Sequence, residues 1–348
     1  MNFSYFFTFI LSFFPFFSNS YKLETVYGSD TIKEPVLIEL IECPAMQRLK
    51  NIHQYGIIYY IANPGEYSRF EHSLGVFFLV RKFGGSLNEQ IAALLHDVSH
   101  TAFSHVGDYI FKHKDGKSSY QDDIHLWFLK NTEIPEILTK HGISFESINH
   151  KDNGFTMLEQ DLPNVCADRF EYIMYGGLLE NKLTIADIQK IMTQVTFKNG
   201  KWIFNSQTLA KKLADTSLYL SEQVFGSALN DVSYHWTAKA LRRALKINLI
   251  SLNDIHFSTD LVIWNKLKEN NDPKIAGLVK KLCSICEHYK LGTEEKYDLS
   301  FISKFRGINP WVQTKDGIKQ LTEVDKEYAL TFNAIKTRMK KGLYICCL

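Results

Sequence analysis

The chain has 348 residues, of which 45% are apolar, 14% aromatic and 22% charged, an ordinary globular composition with enough apolar material for a large core. Forty basic residues against 38 acidic ones leave a formal charge of +2. That balance predicts neither an acidic partner nor a broad nucleic-acid face, and leaves room only for a local basic pocket.

Phe3 to Phe17 is dominated by Phe with Ile, Leu and Tyr, and the stretch closes Phe17-Ser18-Asn19-Ser20, small at alternating positions like a signal-peptidase site. Residues 1–20 therefore read as a signal peptide or apolar leader. No Lys or Arg precedes the run, Pro15 interrupts it, and it falls short of the roughly 20 apolar residues of a spanning helix. A cleaved leader makes the protein secreted or lumenal; otherwise it is cytoplasmic, with residues 1–20 as its membrane contact if they stay uncleaved. Tyr21–Gly28 reads as a short extended piece. A helix begins near His72 and ends at Gly84-Gly85. Ser86-Leu-Asn-Glu89 is a capping box for the next helix, and Thr184-Ile-Ala-Asp187 opens another more weakly. Residues 206–225 and 234–250 have helical apolar spacing. Between these helices Val195–Phe204 alternates about an Asn199-Gly200 turn, which predicts a hairpin. Residues 251–348 read as partly helical, polar and motif-poor, a helical subdomain or an oligomer-forming appendage. Six cysteines are scattered; Cys283-Ser-Ile-Cys286 with His288 looks like half a zinc site without its second half, hence two thiols near one face of a helix.

The informative run is Ile91-Ala-Ala-Leu-Leu-His-Asp-Val-Ser-His100, apolar residues ending in two adjacent metal-binding side chains, His96 and Asp97. Packing alone does not explain it. Around it lie His72, His100, His105, His125 and Asp168. On one helix the side chains of His96 and Asp97 diverge by about 100°, so both reach one ion only over their shared edge. His72 belongs to the preceding helix and Asp168 to a later one. Imidazoles with carboxylates make a mixed nitrogen/oxygen shell that suits Mn, Fe, Zn, Ni or Co. With four protein ligands, an octahedral ion keeps positions for water and a phosphate oxygen. His100, one helical turn beyond His96, together with His105 and His125, can carry a proton near neutral pH. One such histidine alone is more often a surface or capping residue; three beside this run point to acid–base work.

His72, His96-Asp97 and Asp168 match the H…HD…D pattern of the HD-domain phosphohydrolases. The surrounding words Gln47-Arg-Leu-Lys-Asn-Ile-His-Gln-Tyr-Gly56, Arg69-Phe-Glu-His-Ser-Leu-Gly75 and Leu95-His-Asp-Val-Ser-His-Thr-Ala-Phe-Ser-His105 resemble the deoxynucleoside triphosphate triphosphohydrolase branch, over about residues 22–245. This is the sterile-alpha-motif and HD-domain type, without the sterile-alpha-motif domain. The resemblance implies that His72, His96, Asp97 and Asp168 bind the metal. It implies that His100 and His105 lie at the scissile phosphate and that His125 assists as proton donor. Arg69 and Arg169 would hold the triphosphate, Gln54 would contact the deoxyribose, and Tyr172 would stack on or gate the sugar. The sequence also departs from the branch. Arg169 stands where the branch has Lys, which keeps charge but alters geometry. The Asp expected a few residues after Tyr172 is absent from Ile173-Met-Tyr-Gly-Gly177. The Arg expected shortly before Tyr234-His235 is absent from Gly226-Ser-Ala-Leu-Asn-Asp231. The allosteric nucleotide site is echoed only by Glu42, Gln47 and Lys50.

The expectation is therefore a mainly α protein: an HD-domain helical bundle over residues 21–250 with a small β-hairpin, and a helical C-terminal extension over 251–348. The expected activity is metal-dependent hydrolysis of deoxynucleoside triphosphates to deoxynucleoside and triphosphate, with a divalent transition metal in the site and Mg on the substrate phosphates. The alternatives are a nucleotidase or phosphodiesterase acting on another small phosphorylated molecule, or a catalytically weak nucleotide- or nucleic-acid-binding HD protein. The expected partners are a small nucleotide and further copies of the chain.

Overall fold

The computed structural model describes residues 20–111, 119–149 and 153–348. Apart from Ser20, the expected leader lies outside them. The protein is mainly α, as expected. It opens with a hairpin, β1 (Tyr21–Thr25) and β2 (Gly28–Ile32), paired from Tyr21↔Ile32 to Thr25↔Gly28. Helices α1 (Pro35–Glu42), α2 (Pro44–Arg48), α3 (Ile58–Ala62), α4 (Arg69–Lys82) and α5 (Leu87–Leu95) follow. Then come α6 (Val106–Ile110), α7 (Tyr120–Lys130), α8 (Ile134–Lys140), α9 (Ala167–Leu179), α10 (Ile185–Thr193), α11 (Gln207–Tyr219) and α12 (Ala228–Lys246).

Helix α4 is the axis of the fold. Its apolar residues go all the way round, from Phe70 and Leu74 to Val76–Val80, so it is buried on every side. It packs against α5, α9 and β1. A complete capping box, Ser68 with Glu71, fixes where it starts, and this places His72 in its first turn. Gly75 lets α9 come close: a Cβ there would fall 2.6 Å from a carboxylate oxygen of Glu171.

Helix α5 ends earlier than the sequence suggested. Ser86 caps its start by accepting from the Glu89 N–H, but the Glu89 carboxylate does not close the box. It accepts instead from the backbone N–H groups of Met157 and Leu158. The last helical residue is Leu95. His96 is its C-cap, and Asp97 to His105 form consecutive turns. The Arg48 guanidinium takes the carbonyls of Val98 (3.1 Å) and His100 (2.6 Å), which a continuing helix would have used internally. Phe103 and Ser104 stand in the left-handed region at φ 61° and 55°, a conformation costly for residues with a Cβ unless the surroundings impose it.

The Asn199-Gly200 hairpin forms as expected, β3 (Val195–Lys198) with β4 (Lys201–Phe204), both turn residues at positive φ. It is half of a larger sheet. A second hairpin, β7 (Trp311–Thr314) with β8 (Gly317–Gln320), joins it through parallel pairing of β4 with β7, giving the order β3-β4-β7-β8. A further sheet places β9 (Leu343–Cys347) between β5 (Tyr289–Leu291) and β6 (Leu299–Phe301). The C-terminal region thus carries five strands beside α13 (Leu252–Phe257), α14 (Asp260–Lys268), α15 (Pro273–Cys283), α16 (Leu321–Val324) and α17 (Lys326–Lys341).

Two apolar cores result. One collects α1, α2, α4, α5 and α7–α11 with Val312, Leu321, Tyr328 and Phe332. The other collects Tyr55–Ile58, Phe103, Val106 and α12 with α14, α15 and Ile345. Residues 251–348 contribute to both. The segment 96–105 runs from one core, at Leu95 and Val98, to the other, at Ala102 and Phe103.

Asp260 pins that crossing. Fully buried at the start of α14, it accepts the N–H of Phe103 at 2.6 Å and of His53 at 2.9 Å. Asp260→Ala would strand both donors and should lower the unfolding free energy by about 2–4 kcal/mol in urea melts; a loss under about 0.5 kcal/mol would refute this role. Burial pushes the Asp260 carboxyl up to about 7, against the two amides and Arg48. The folded state then binds more protons than the unfolded state between an ordinary carboxylate value of about 4 and that value. The contribution of Asp260 to stability is therefore full below about pH 4 and is lost as pH rises to about 7. Asp260→Asn should flatten the stability–pH profile across that window.

Candidate metal centre and active site

Three elements bring the candidate ligands together: the first turn of α4, the end of α5 and the first turn of α9. The Nε2 atoms of His72 and His96 lie 3.2 Å apart. Asp168 Oδ1 is 3.1 Å from the first and 3.7 Å from the second. The Asp97 oxygens are 3.5 Å from His72 Nε2 and 3.6 Å from His96 Nε2. His72, His96 and Asp97 are buried, while a quarter of the Asp168 side chain is exposed, so the cluster opens to solvent on the α9 side.

The donor set fits a divalent cation. The Nδ1 of His96 donates to the Ala93 carbonyl at 2.8 Å. The Nδ1 of His72 donates to the Glu171 carboxylate, which also accepts from the hydroxyls of Tyr67 and, at 2.8 Å, Tyr27. With both Nδ1 atoms spent as donors, the two Nε2 atoms face each other beside two carboxylates and are the atoms left to meet a cation. Such carboxylate–histidine support is the usual companion of a metal ligand. A positive charge at this point satisfies all four groups, and the ligand-atom separations are near the edge lengths of a shell with bonds of about 2.1 Å. The charge demand is visible on the protein itself. Burial pulls His72 down, yet Glu171, Asp168 and Asp97 together push it up to about 10. Burial opposes ionisation of Asp97, but Arg69, His96 and His100 hold it well below the usual carboxylate range.

The other expected residues are placed as follows. His100 is buried, with Nε2 3.3 Å from Asp97 Oδ1, and burial followed by the Arg69 charge pulls it down to about 3, so it is neutral. Its ring meets that of His105 edge-on at 4.9 Å. His105 is part-exposed, with Nδ1 3.0 Å from Asp108 Oδ2. Against burial, the hydrogen bond from His105 brings the Asp108 carboxyl down to about 2. His125 is linked to the segment through Ser99: its Nδ1 lies 2.9 Å from Ser99 Oγ, whose proton goes to Gln121 Oε1 at 2.8 Å. Arg69 is committed to the protein, to Asp97 Oδ2 at 2.6 Å and Ser104 Oγ at 3.0 Å. Arg169 is likewise engaged, with Glu159 Oε1 at 2.6 Å and the carbonyls of Asn164 and Gln160. Tyr172, one turn beyond Asp168, is buried with its ring edge-on to Phe225. Gln54 donates its backbone N–H to Tyr67, and its buried Oε1 has no partner among the described residues.

Sequence reasoning missed Glu171, Tyr67, Tyr27, Asp108, Ser99 and Asp260. Glu171 alone left a usable signal: it stands three residues after Asp168 on a helix, close enough to share its side. The others arrive from distant segments or from turns.

The HD-domain model matches residues 69–164, the stretch from α4 to the segment before α9. The uncharacterised Bacillus subtilis protein YdhJ is 33% identical over 325 residues, 92% of this chain and 97% of its own. The metal-dependent phosphohydrolase cns2 of Cordyceps militaris is 30% identical over 299 residues, 82% of this chain and 83% of its own. The deoxynucleoside triphosphate triphosphohydrolase SAMHD1 of Bos taurus matches only locally, 38% identical over 89 residues, 21% of this chain and 15% of its own. The fold is that of a phosphohydrolase from Bacteroides thetaiotaomicron, TM-score 0.71 at 17% identity, covering 94% of this chain and 99% of that one. On this site and these relatives, the chain belongs to the HD-domain family of metal-dependent phosphohydrolases.

Proposed function

We propose that the protein hydrolyses deoxynucleoside triphosphates to deoxynucleoside and triphosphate, using a divalent transition metal held by His72, His96, Asp97 and Asp168. The observation that carries the hydrolytic half is the cluster itself: two Nε2 atoms and two carboxylates at a solvent opening, with His100 and His105 adjoining. The nucleotide half rests on the local similarity to a deoxynucleoside triphosphate triphosphohydrolase. The unpartnered Gln54 Oε1 supports it as an acceptor for a sugar hydroxyl.

A bound divalent ion supplies Lewis-acid polarisation of the phosphoryl group. The protein supplies the rest. Glu171 and the Ala93 carbonyl hold the two imidazoles in the tautomer that presents Nε2. Arg69 keeps Asp97 ionised and aligned. Asp108 anchors Nδ1 of His105, which leaves Nε2 as the atom that hands a proton to the leaving oxygen. His100, neutral and buried, shapes the wall between them.

A second reading, hydrolysis of another small phosphorylated molecule, is favoured by one observation: cns2, matched along most of its length, is a metal-dependent phosphohydrolase by name. Purified residues 21–348 incubated with Mn and a panel of dNTPs, NTPs, monophosphates and phosphodiesters decide between them. Release of tripolyphosphate from dNTPs is expected; turnover restricted to other members of the panel would establish the second reading.

Asp97→Ala should remove the metal and lower turnover by about 10²–10⁴, the several kcal/mol that metal assistance provides. His105→Ala should keep the metal, measured by elemental analysis, and lose a similar factor of about 10²–10⁴ in kcat; undiminished kcat would reassign the proton to another group. Glu171→Gln should weaken metal affinity by about 10–100-fold, with activity recovering at saturating metal. No recovery at any metal concentration would show that Glu171 acts otherwise than through His72.

A further inference from the structure

We propose that Lys304 and Arg306, on the segment 302–309 between β6 and β7, hold the phosphates of the substrate at the mouth of the metal site. The inference rests on the phosphohydrolase assignment and is independent of which nucleoside, if any, the substrate carries.

Position is the first argument. The segment has no regular structure, yet it is tied down along its length. Ser303 Oγ donates to Asp231 Oδ2 at 2.8 Å, on the first turn of α12. The Arg306 N–H donates to Ser221 Oγ at 2.8 Å, and the Ile308 N–H donates to Ser217 Oγ at 3.1 Å. The Asn309 N–H donates to the Pro163 carbonyl at 2.7 Å. Pro163 lies in the run that leads into α9 and Asp168; the carbonyl of its neighbour Asn164 is one of the groups holding Arg169. The strap therefore lies along the entrance to the ligand-bearing helix. Exposure alternates at its start, Ile302 and Lys304 outward, Ser303 and Phe305 inward, with Phe305 against Phe332 at 5.1 Å.

Charge is the second. The two cations the resemblance put on phosphate, Arg69 and Arg169, are both engaged with protein acceptors. The side chains of Lys304 and Arg306 have no hydrogen bond or ion pair among the described residues. Their fields nonetheless reach the site. Burial raises the Tyr172 hydroxyl, and Arg306, then Arg169, pull it back. Arg306 acts on Tyr234 as well, alongside Arg69. Lys304 is pushed below its usual value by desolvation, then by Arg306 and Arg169, with Glu159 and Asp122 opposing. Like charges within reach of one another, two of them unpaired among the described residues and Lys304 exposed, are relieved by a polyanion. A merely structural strap does not need them, because the strap makes every tie named above with a backbone N–H or with the Ser303 or Phe305 side chain.

The test uses the metal-loaded protein and inorganic tripolyphosphate, with orthophosphate for comparison, in titration calorimetry. Lys304→Gln and Arg306→Gln should each weaken tripolyphosphate binding about 10–100-fold, the worth of one charge-assisted hydrogen bond, and orthophosphate binding less. Arg306→Lys, which keeps the charge, should fall between wild type and Arg306→Gln, and it carries the test if the Gln variants fold poorly. Lys319→Gln, on β8, should bind as wild type does. Metal content should be unchanged throughout, and on whichever substrate turns over KM should rise more than kcat falls. Unaltered tripolyphosphate affinity in the variants, an equal loss in Lys319→Gln, or no binding by the wild type would overturn the proposal. If tripolyphosphate binds through the strap but no dNTP is hydrolysed, the nucleotide reading fails and this one stands. If dNTPs are hydrolysed and the variants bind normally, the reverse holds.

Discussion

Two imidazole nitrogens 3.2 Å apart, with two carboxylates beside them, call for positive charge at one point, from a cation or from the proton that Glu171, Asp168 and Asp97 hold on His72. The structure is organised to preserve this demand rather than relieve it. Glu171 prevents His72 from turning its Nδ1 inward; the Ala93 carbonyl does the same for His96. Tyr67 and Tyr27 satisfy the Glu171 oxygens, so a buried carboxylate stands in an apolar helix interface with only the His72 imidazole as its charge partner. Gly75 gives it the room. The close crossing of α4 and α9 and the long buried α4 follow from that one contact, because only helices at this distance can join Glu171 to His72.

The segment 96–105 is the second constraint. It must leave the helix at the moment it delivers His96 and Asp97, then place His100 and His105 beside them. Arg48 draws its carbonyls away, Ala102 donates its N–H to the Ile255 carbonyl, and Asp260 takes the N–H of Phe103. The two left-handed residues are held by these contacts from outside. His100 and His105 are therefore positioned by parts of the chain that lie outside the cluster.

Much of this was legible in the sequence, and the exceptions have physical causes. The convergence of His72, His96, Asp97 and Asp168 was readable because His and Asp beside an apolar run have few other uses. The Asn199-Gly200 turn and the Thr184 start are local chemistry, and local chemistry shows. The end of α5 was not readable, because the groups that stop it, Arg48 and Asp260, come from far along the chain. The Glu89 carboxylate was assigned to its own helix end and serves the backbone at 157–158 instead. The C-terminal strands are three to five residues long, with one face wet, so period-2 alternation had too few positions to appear. Arg69 and Arg169 were matched by position; their partners Asp97, Ser104, Glu159 and Asn164 meet them only in the fold.

The parallel pairing of β4 with β7 has a consequence for how the molecule comes into being. Ile203 waits for Trp311, and the core around Tyr55 waits for Ile345, some 290 positions further along the chain. A chain emerging from the ribosome carries all four candidate ligands long before it can close either core. Non-local closure of this kind is slow, and the half-finished state exposes apolar surface. The stretch from Trp311 to Ile345 thus acts as a checkpoint: a chain cut before it lacks the pieces that close both cores around the cluster.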